Sequence, residues 1–250
     1  MTDRHKKLLK IVTDNKCIEV SRLSELLNVS QVTIRKDLSI LEEKGLLHRK
    51  HGYAVINSSD DINSRLAVNY DTKKKIAELA SELVSDGETV MIESGSCCAL
   101  LAEELAYNKK DITIITNSVF IASHVREAPL ARIILLGGEY QMESQVLVGP
   151  LAREGVKNFF VDKLFVGTDG YNPKVGFTGK DLMRTETVKT MAQNVDKVVV
   201  LTESSKFFQQ GVVVQFDTAE VDCVITDNKI PQHILELLKE YKIDVLRAIL

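Results

Sequence analysis

The chain has 250 residues, 44% of them hydrophobic and 27% charged, with a formal net charge of −3, so it can bury a large core and hold two domains. No run of 18 apolar residues occurs, and the opening Met-Thr-Asp-Arg-His-Lys-Lys leads into no apolar signal-peptide core, so no membrane partner is expected and the protein reads as cytoplasmic. The four cysteines, Cys17, Cys97, Cys98 and Cys223, lack paired metal-ligand spacing, which argues against a metal site and reads most simply as free thiols in a reducing compartment.

Charge is unevenly spread. Residues 1–56 carry 11 Lys and Arg against 7 Asp and Glu, and the remainder carries 21 against 28. A basic head on an acidic body suits nucleic-acid binding through the head, while the body's charge limits non-specific adhesion to phosphate.

The first predicted helix runs from Arg4 to Thr13, with Leu8, Leu9 and Val12 inward and lysines outward. A short extended piece, Cys17 to Glu19, precedes a second helix marked by Leu23, Leu26 and Leu27, and Asn28-Val29-Ser30 turns the chain into a third. Ser30 is a suitable N-cap and Gly45 a suitable residue to follow the helix end. On this third helix Ile34, Leu38 and Leu41 fall at i, i+4 and i+7 and form one apolar stripe. Gln31, Val32, Thr33, Arg35 and Lys36 lie off it. Arg matches guanine O6 and N7, Gln matches adenine, and a small apolar group matches the thymine methyl, so this outer face has the chemistry to read a major groove. An amphipathic helix with a merely solvated polar face fits the segment taken alone, but helix-turn-helix spacing favours the first reading. After Gly45 the pattern changes to two short extended runs within Leu46–Ile56, with Arg49, Lys50 and His51 at a basic turn. This reads as a β-wing that lies against phosphates or in a minor groove.

Ser30-x-x-Thr33-Ile34-Arg35-Lys36-Asp37-Leu38, followed by Arg49-x-His51-Gly52 and a small residue, resembles the N-terminal winged helix of the DeoR family of bacterial transcriptional regulators. The resemblance implies a partner in double-stranded operator DNA, contacted by Ser30, Gln31, Val32, Thr33, Arg35, Lys36, Arg49, Lys50 and His51. Tyr53 departs from the family pattern, which usually has a second glycine after His-Gly.

Residues 57–70 are polar and weakly periodic and read as a linker between a DNA-binding domain, 1–56, and a second domain, 71–250. Asp71 is expected to cap a helix through Ser85. Beyond it, Val- and Ile-rich runs without clean alternation recur between helical stretches, which predicts an open, mostly parallel sheet with helices on both faces. In such an α/β fold ligands bind beyond the carboxyl ends of the strands. The loops at those ends are Glu93-Ser94-Gly95-Ser96-Cys97-Cys98, Thr116-Asn117-Ser118, Gly137-Gly138, Gly167-Thr168-Asp169-Gly170 and Thr202-Glu203-Ser204-Ser205-Lys206. Amides, hydroxyls, Asn, Asp and one Lys suit a small polyhydroxylated anion, with the amides at the start of the helix after residue 95 favouring a phosphate.

This half is similar to the effector domain of the same family and, in turn, to ribose-5-phosphate isomerase. The resemblance implies binding of a phosphorylated sugar or sugar alcohol by Ser94, Gly95, Ser96, Cys97, Cys98, Asn117, Ser118, Gly137, Gly138, Asp169, Gly170, Thr178, Glu186 and Lys206, with no cofactor. Cys97 and Cys98 stand where the family commonly has threonines, and Glu203 where it commonly has Asp. An isomerase-like enzyme with an appended DNA-binding domain is the competing reading, with Asp169, Glu186 and Lys206 moving a proton. Against it, Val166 occupies the place of the isomerase's first loop carboxylate, and proton transfer needs a paired acid and base. A scaffold whose second domain only oligomerises leaves the polar strand-end loops unexplained. The resulting expectation is a repressor of a sugar or sugar-alcohol catabolic operon. One winged helix reads too few base pairs for genomic specificity, so a homo-oligomer, dimer or tetramer, is expected.

Overall fold

The computed structural model of the protein describes residues 2–43, 46–55 and 60–250. The chain divides into two compact units, Met1–Tyr70 and Asp71–Leu250, each with its own hydrophobic core.

The first unit contains α1 (Asp3–Asn15), β1 (Cys17–Glu19), α2 (Val20–Leu27), α3 (Gln31–Glu43), β2 (His48–Lys50), β3 (Tyr53–Val55) and α4 (Ile62–Ala67). The stripe read from the spacing is the buried one: Ile34, Leu38 and Leu41 are each 0% exposed and meet Leu8, Val12 and Leu23. Of the three leucines that mark α2, Leu23 is 0% exposed and Leu26 is 48% exposed. Asn28 leaves α2 with φ 52°, a left-handed turn that Asn tolerates better than most residues, and this permits the tight entry into α3. In the wing, Lys50 pairs with Tyr53 across an antiparallel hairpin. His51 and Gly52 make its turn at φ 49° and 86°, the doubly positive geometry that suits a two-residue hairpin loop. The turn is complete at Gly52, so Tyr53 is free to begin β3 and to donate its hydroxyl to Glu19 Oε1 at 2.7 Å.

The expected linker is partly helical. Asp61 Oδ1 accepts the Ser64 amide and caps α4, with Ile62 and Leu66 buried and Ala67 packed on the first core. Six residues are too few to display a helical period in sequence. The expectations placed on Gly45, Ile56 and residues 57–59 fall outside the described residues.

The second unit opens with α5 (Tyr70–Ser81), followed by β4 (Thr89–Ile92), α6 (Ser96–Asn108), β5 (Thr113–Thr116), α7 (Val119–His124) and β6 (Arg132–Leu135). A hairpin of β7 (Glu139–Gln141) and β8 (Val146–Val148) leads to α8 (Pro150–Val156) and β9 (Val161–Val166). Next come β10 (Gly170–Asn172), β11 (Gly176–Gly179), α9 (Leu182–Ala192), β12 (Val195–Leu201), β13 (Val213–Phe216), β14 (Cys223–Asp227), α10 (Gln232–Glu240) and β15 (Asp244–Ala248). Asp71 therefore lies inside the first turn of α5 and not at its cap, and that helix ends at Ser81, short of the expected Ser85.

Seven strands form one sheet in the order β15-β14-β12-β9-β4-β5-β6, every neighbour parallel. Starting at β4 the chain builds outward through β5 and β6, then returns to the other side of β4 with β9 and builds outward again. Right-handed crossovers then set α6 and α7 on one face and α9 and α10 on the other. The reversal at β4 and β9 is the topological switch point, where such sheets open a crevice. Central strands are buried throughout their last turns of chain (Val90, Met91 and Ile92; Leu164, Phe165 and Val166), whereas edge strand β6 is partly exposed. Two antiparallel pieces were not expected from the sequence, the β7-β8 hairpin and a sheet ordered β10-β11-β13. No helix among the described residues is long and apolar enough to cross a membrane.

Candidate functional site

The outer face of α3 is presented as the spacing predicts. Gln31, Arg35 and Lys36 are exposed, and Val32 is 63% exposed. Ser30 caps the helix, its Oγ accepting the Thr33 amide at 3.2 Å and lying 3.0 Å from Thr33 Oγ1. What fixes this helix is a residue that sequence reading left unassigned. Asp37, 3% exposed, accepts Arg4 Nε and Nη2 at 2.5 and 3.0 Å and lies 3.1 Å from His5 Nε2, all from α1. The Arg4 hydrogen bond above all holds the Asp37 carboxyl below its ordinary range.

In the wing Lys50 and His51 are exposed. Arg49 is engaged differently: its amide and its Nε both donate to Glu42 of α3, at 2.8 and 2.6 Å. Arg49 thus ties the hairpin to α3, leaving Lys50 and His51 as the wing's exposed cation and imidazole.

In the second unit the chemistry gathers at the switch point. Glu93, at the end of β4 and buried, accepts Ser94 Oγ at 2.8 Å, the Gly95 amide at 2.8 Å and the Gly167 amide at 3.1 Å. One carboxylate therefore ties the β4 and β9 loops together, and the Gly95 amide expected to face a ligand already has an acceptor. Gly95 and Gly167 lie so close that a Cβ on Gly95 would stand 3.2 Å from the Gly167 Cα. Gly95 is the N-cap of α6 and no side chain caps that helix, so its first turn, Ser96-Cys97-Cys98, carries the positive end of the helix dipole at the switch point.

Charged groups from neighbouring loops surround this turn. Burial first pushes the Cys97 thiol up to about 12, so it stays protonated, and it feels the charges of Lys73, Glu203, Lys206 and Asp227. Lys206 is held below its ordinary range, chiefly by burial, with Asp169 opposing and Lys180 reinforcing the shift. Asp169 Oδ2 accepts the Lys180 amide at 2.9 Å, and the Asp169 amide donates to Thr178 O. Asp227, 2% exposed, accepts the Ser204 amide at 2.8 Å and so orients the loop after β12. Of the expected residues, Ser94, Gly95, Ser96, Cys97, Cys98, Asp169 and Lys206 lie at or just beyond the ends of β4, β9 and β12, whereas Gly170 and Thr178 lie in the antiparallel strands β10 and β11. Thr178 is 1% exposed; its hydroxyl accepts the Gly211 amide at 2.8 Å and its carbonyl accepts the Asp169 amide at 3.0 Å, so it ties the two segments together.

The remaining expected residues sit further along the sheet edge. Ser118 is 0% exposed and its Oγ accepts the Ile121 amide, capping α7. Asn117 Nδ2 donates to Leu147 O at 3.1 Å and holds the β7-β8 hairpin. Gly137 is exposed, while Gly138, at φ 149°, admits Val148 so closely that a Cβ would meet its carbonyl oxygen at 2.6 Å. Glu186 is paired with Arg153 at 2.9 Å on half-exposed helix surface. Sequence reasoning passed over Glu93 as a site residue, along with Asp227 and Lys73. Lys73 did carry a signal, since residues 73, 76, 77 and 80 form the buried stripe of α5. Among the described residues no group of three or more His, Cys, Asp or Glu side chains is arranged to hold a metal ion.

Comparison with known proteins agrees with this division. The sequence model of the DeoR-like helix-turn-helix domain matches residues 4–60, and that of the DeoR C terminal sensor domain matches residues 68–228. The HTH-type transcriptional regulator GolR of Listeria innocua is 33% identical over 235 residues, which cover 91% of each chain. The transcriptional repressor AccR of Agrobacterium fabrum is 29% identical over 231 residues, covering 90% of this chain and 89% of its own. Among solved structures, ribose 5-phosphate isomerase A from Neisseria gonorrhoeae superposes with a TM-score of 0.41 at 18% identity, over 55% of this chain and 53% of that one.

Proposed function

The chain belongs to the DeoR family of transcriptional regulators, and from that premise we propose that it represses a sugar or sugar-alcohol catabolic operon and lets go of its operator when a phosphorylated sugar or sugar alcohol binds. The α3 face and the wing do separate work. Gln31, Val32 and Arg35 meet base edges, while Lys36, Lys50 and His51 meet the backbone of the double-stranded DNA. Ser30 and Thr33 keep the helix start in shape for that contact. The cytoplasm is its place of action.

One observation carries the ligand half of this reading: the α6 first turn has no capping side chain and faces the switch point amid lysines from two other segments. A helix start of this kind favours an anion, and the Asp and hydroxyl groups around it suit a polyol. Carboxylates at Glu93 and Asp169 are already engaged by backbone amides, which suits groups that shape a binding site better than groups that shuttle protons. The relatives described above are named as a transcriptional regulator and a transcriptional repressor.

Repression and release require a ligand that binds the two DNA-affinity states unequally. They also require more than one winged unit per operator, so the working form is a dimer or tetramer. The direct test is thermal-shift screening of the full chain against aldose, ketose and alditol phosphates, with the unphosphorylated sugars beside them. Native-state binding raises the melting temperature by an amount set by ligand concentration over Kd. A phosphorylated compound that stabilises the protein where its parent sugar does not is the expected result. Equal indifference to the whole panel would remove the sugar-phosphate effector.

A further inference from the structure

Gln215 is the lone polar residue in the run Val212-Val213-Val214-Gln215-Phe216, and it is 5% exposed. Its burial comes from an irregularity in strand pairing. Phe177 of β11 pairs with Phe216 of β13, and the next residue, Thr178, pairs with Val214, so Gln215 is the extra residue of a bulge. In a regular strand Gln215 and Phe216 would face opposite sides of the sheet. Here both are buried while Val214 is 41% exposed, the kind of re-aiming that bulges produce. Gln215 Nε2 donates to Gly167 O at 3.0 Å, in the loop after β9. That loop is held by Glu93 and abuts Gly95 at the start of α6. A carbonyl oxygen only accepts, so the amide nitrogen is the atom that must face it, and Gln215 Oε1 is left for another donor. Oε1 is buried and has no hydrogen-bond partner within the chain. Burial of an amide oxygen without a donor is costly and rare. Among the described residues of the second unit, buried side-chain oxygens without a partner occur at Asn117, Gln215 and Thr226. Asn117 follows β5, Thr226 is the penultimate residue of β14 and Gln215 reaches the end of β9, so all three mark the carboxyl edge of the sheet, where folds of this class take ligands.

We infer that Gln215 selects the effector by its hydroxyl pattern: Oε1 accepts a hydrogen bond from one hydroxyl of the bound sugar phosphate or sugar-alcohol phosphate. The inference rests on the reading of the second unit as a sugar-phosphate sensor and adds to that site a residue that sets specificity. Gln215 lies outside the strand-end loops from which the site was read, on β13 of the small antiparallel sheet. An acceptor also fixes which end of the ligand it meets. A phosphate monoester carries about −1.5 to −2 charges near pH 7 and presents acceptor oxygens, so it cannot satisfy Oε1, whereas a hydroxyl can. The phosphate therefore turns to the uncapped start of α6, and the polyol turns to Gln215. The correct hydroxyl gives the buried oxygen its donor, and an analogue with hydrogen in that place does not. A site built to bond a hydroxyl discriminates against such an analogue far better than an apolar pocket of the same shape.

The test is isothermal titration of the full-length protein with the sugar phosphate that most stabilises the wild type in the thermal-shift panel, and with its monodeoxy analogues, each lacking one hydroxyl. The quantity read is the ratio of the analogue's Kd to the parent's. In the wild type one analogue is expected to bind roughly 10- to 100-fold more weakly than the parent. In Gln215→Met, of similar length but with neither amide donor nor amide acceptor, that ratio is expected to fall to about one, because the parent loses affinity and the analogue does not. Gln215→Glu keeps an acceptor at the same place and is expected to keep the ratio. A residue that merely braces the Gly167 loop would weaken parent and analogue together, so a wild-type ratio in Gln215→Met overturns the proposal. A wild type that binds every monodeoxy analogue as well as the parent overturns it too. Should Gln215→Met fail to fold, Gln215→Glu decides: a retained ratio supports the proposal and a lost one overturns it. A wild type that responds to no member of the panel removes the sensor reading itself, and is told apart from the other outcomes because it precedes any analogue or substitution.

Discussion

The guanidinium of Arg4 in α1 holds the carboxylate of Asp37 in α3 through two nitrogens, at 2.5 and 3.0 Å. Asp37 lies on the inward side of the same helix whose outward side carries Arg35 and Lys36, so a contact made inside the first unit sets the pose of the surface proposed to meet DNA. Because the Arg4 hydrogen bond foremost keeps the Asp37 carboxyl below its ordinary 3.8, its contribution is present above that value and is lost as pH falls through the depressed one. Asp37→Asn is expected to lose roughly 1.5 to 3 kcal/mol of stability at neutral pH, the usual cost of a hydrogen bond to a charged group. Hydrogen exchange of the α3 amides measures this directly. The gap between variant and wild type should narrow as pH falls below about 4, where the carboxyl of the unfolded wild type begins to protonate ahead of the folded one. A gap that is absent at pH 7, or that widens in acid, contradicts the anchoring role.

Arg35 and Lys50 are expected to fail in different ways. Arg35→Ala should weaken binding to a selected operator far more than to random duplex, by roughly 1 to 3 kcal/mol in discrimination. Lys50→Ala should weaken both alike and reduce the salt slope by about one. Fluorescence anisotropy at several salt concentrations separates the two. An equal loss on both duplexes for Arg35→Ala would reduce that residue to a phosphate contact.

Arg49 offers a sharper check on the wing. Since both its amide and its guanidinium are engaged by Glu42, Glu42→Gln should loosen the hairpin from α3 and lower DNA affinity although Glu42 is itself an anion. The simple removal of a negative charge near DNA would raise affinity instead. The sign of the change in operator affinity distinguishes them.

Glu93 joins the loops of β4 and β9 through the Gly95 and Gly167 amides. Glu93→Ala leaves both buried donors without that acceptor, and a loss of about 1 to 3 kcal/mol per unsatisfied group is expected in a urea melt of the whole protein. A neutral result would mean that the loops close on each other without it.

Asp169 and Lys206 come from the β9 and β12 loops, and the Asp169 carboxylate counters the burial that lowers the Lys206 ammonium. Asp169→Asn and Lys206→Met are each expected to lower sugar-phosphate affinity in isothermal titration, Lys206→Met the more because it deletes a cation. If both variants bind as wild type does, the crevice is not the effector site.

Much of this architecture was legible in the chain because local patterning and burial agree. Ile34, Leu38 and Leu41 declare one buried stripe, Ser30 declares a cap, and Val-rich runs without alternation declare strands covered on both sides. Residues whose meaning depends on distant partners were not legible in this way. Asp37 looks like one more polar residue of a helix surface until Arg4, 33 positions away, is folded against it. Lys73 begins a run of three lysines of which only the first is buried, and only its register with Ile76, Ala77 and Ala80 hints at that. Glu186 came from resemblance alone, and the fold pairs it with Arg153 on helix surface. The hairpin Glu139–Gln141 with Val146–Val148 and the strand Val213–Phe216 escaped notice because three or four residues carry too little alternation to register.

The claim on which all of this rests is that one chain couples duplex DNA to a phosphorylated sugar. Titrating full-length protein onto a labelled selected duplex, with and without each sugar phosphate, measures that coupling. With one phosphorylated compound present the half-saturation point should move to higher protein concentration by roughly 5- to 150-fold, a coupling of about 1 to 3 kcal/mol, while its unphosphorylated parent leaves the curve in place. Superimposable curves for a sugar phosphate that demonstrably binds the protein would contradict the coupling outright.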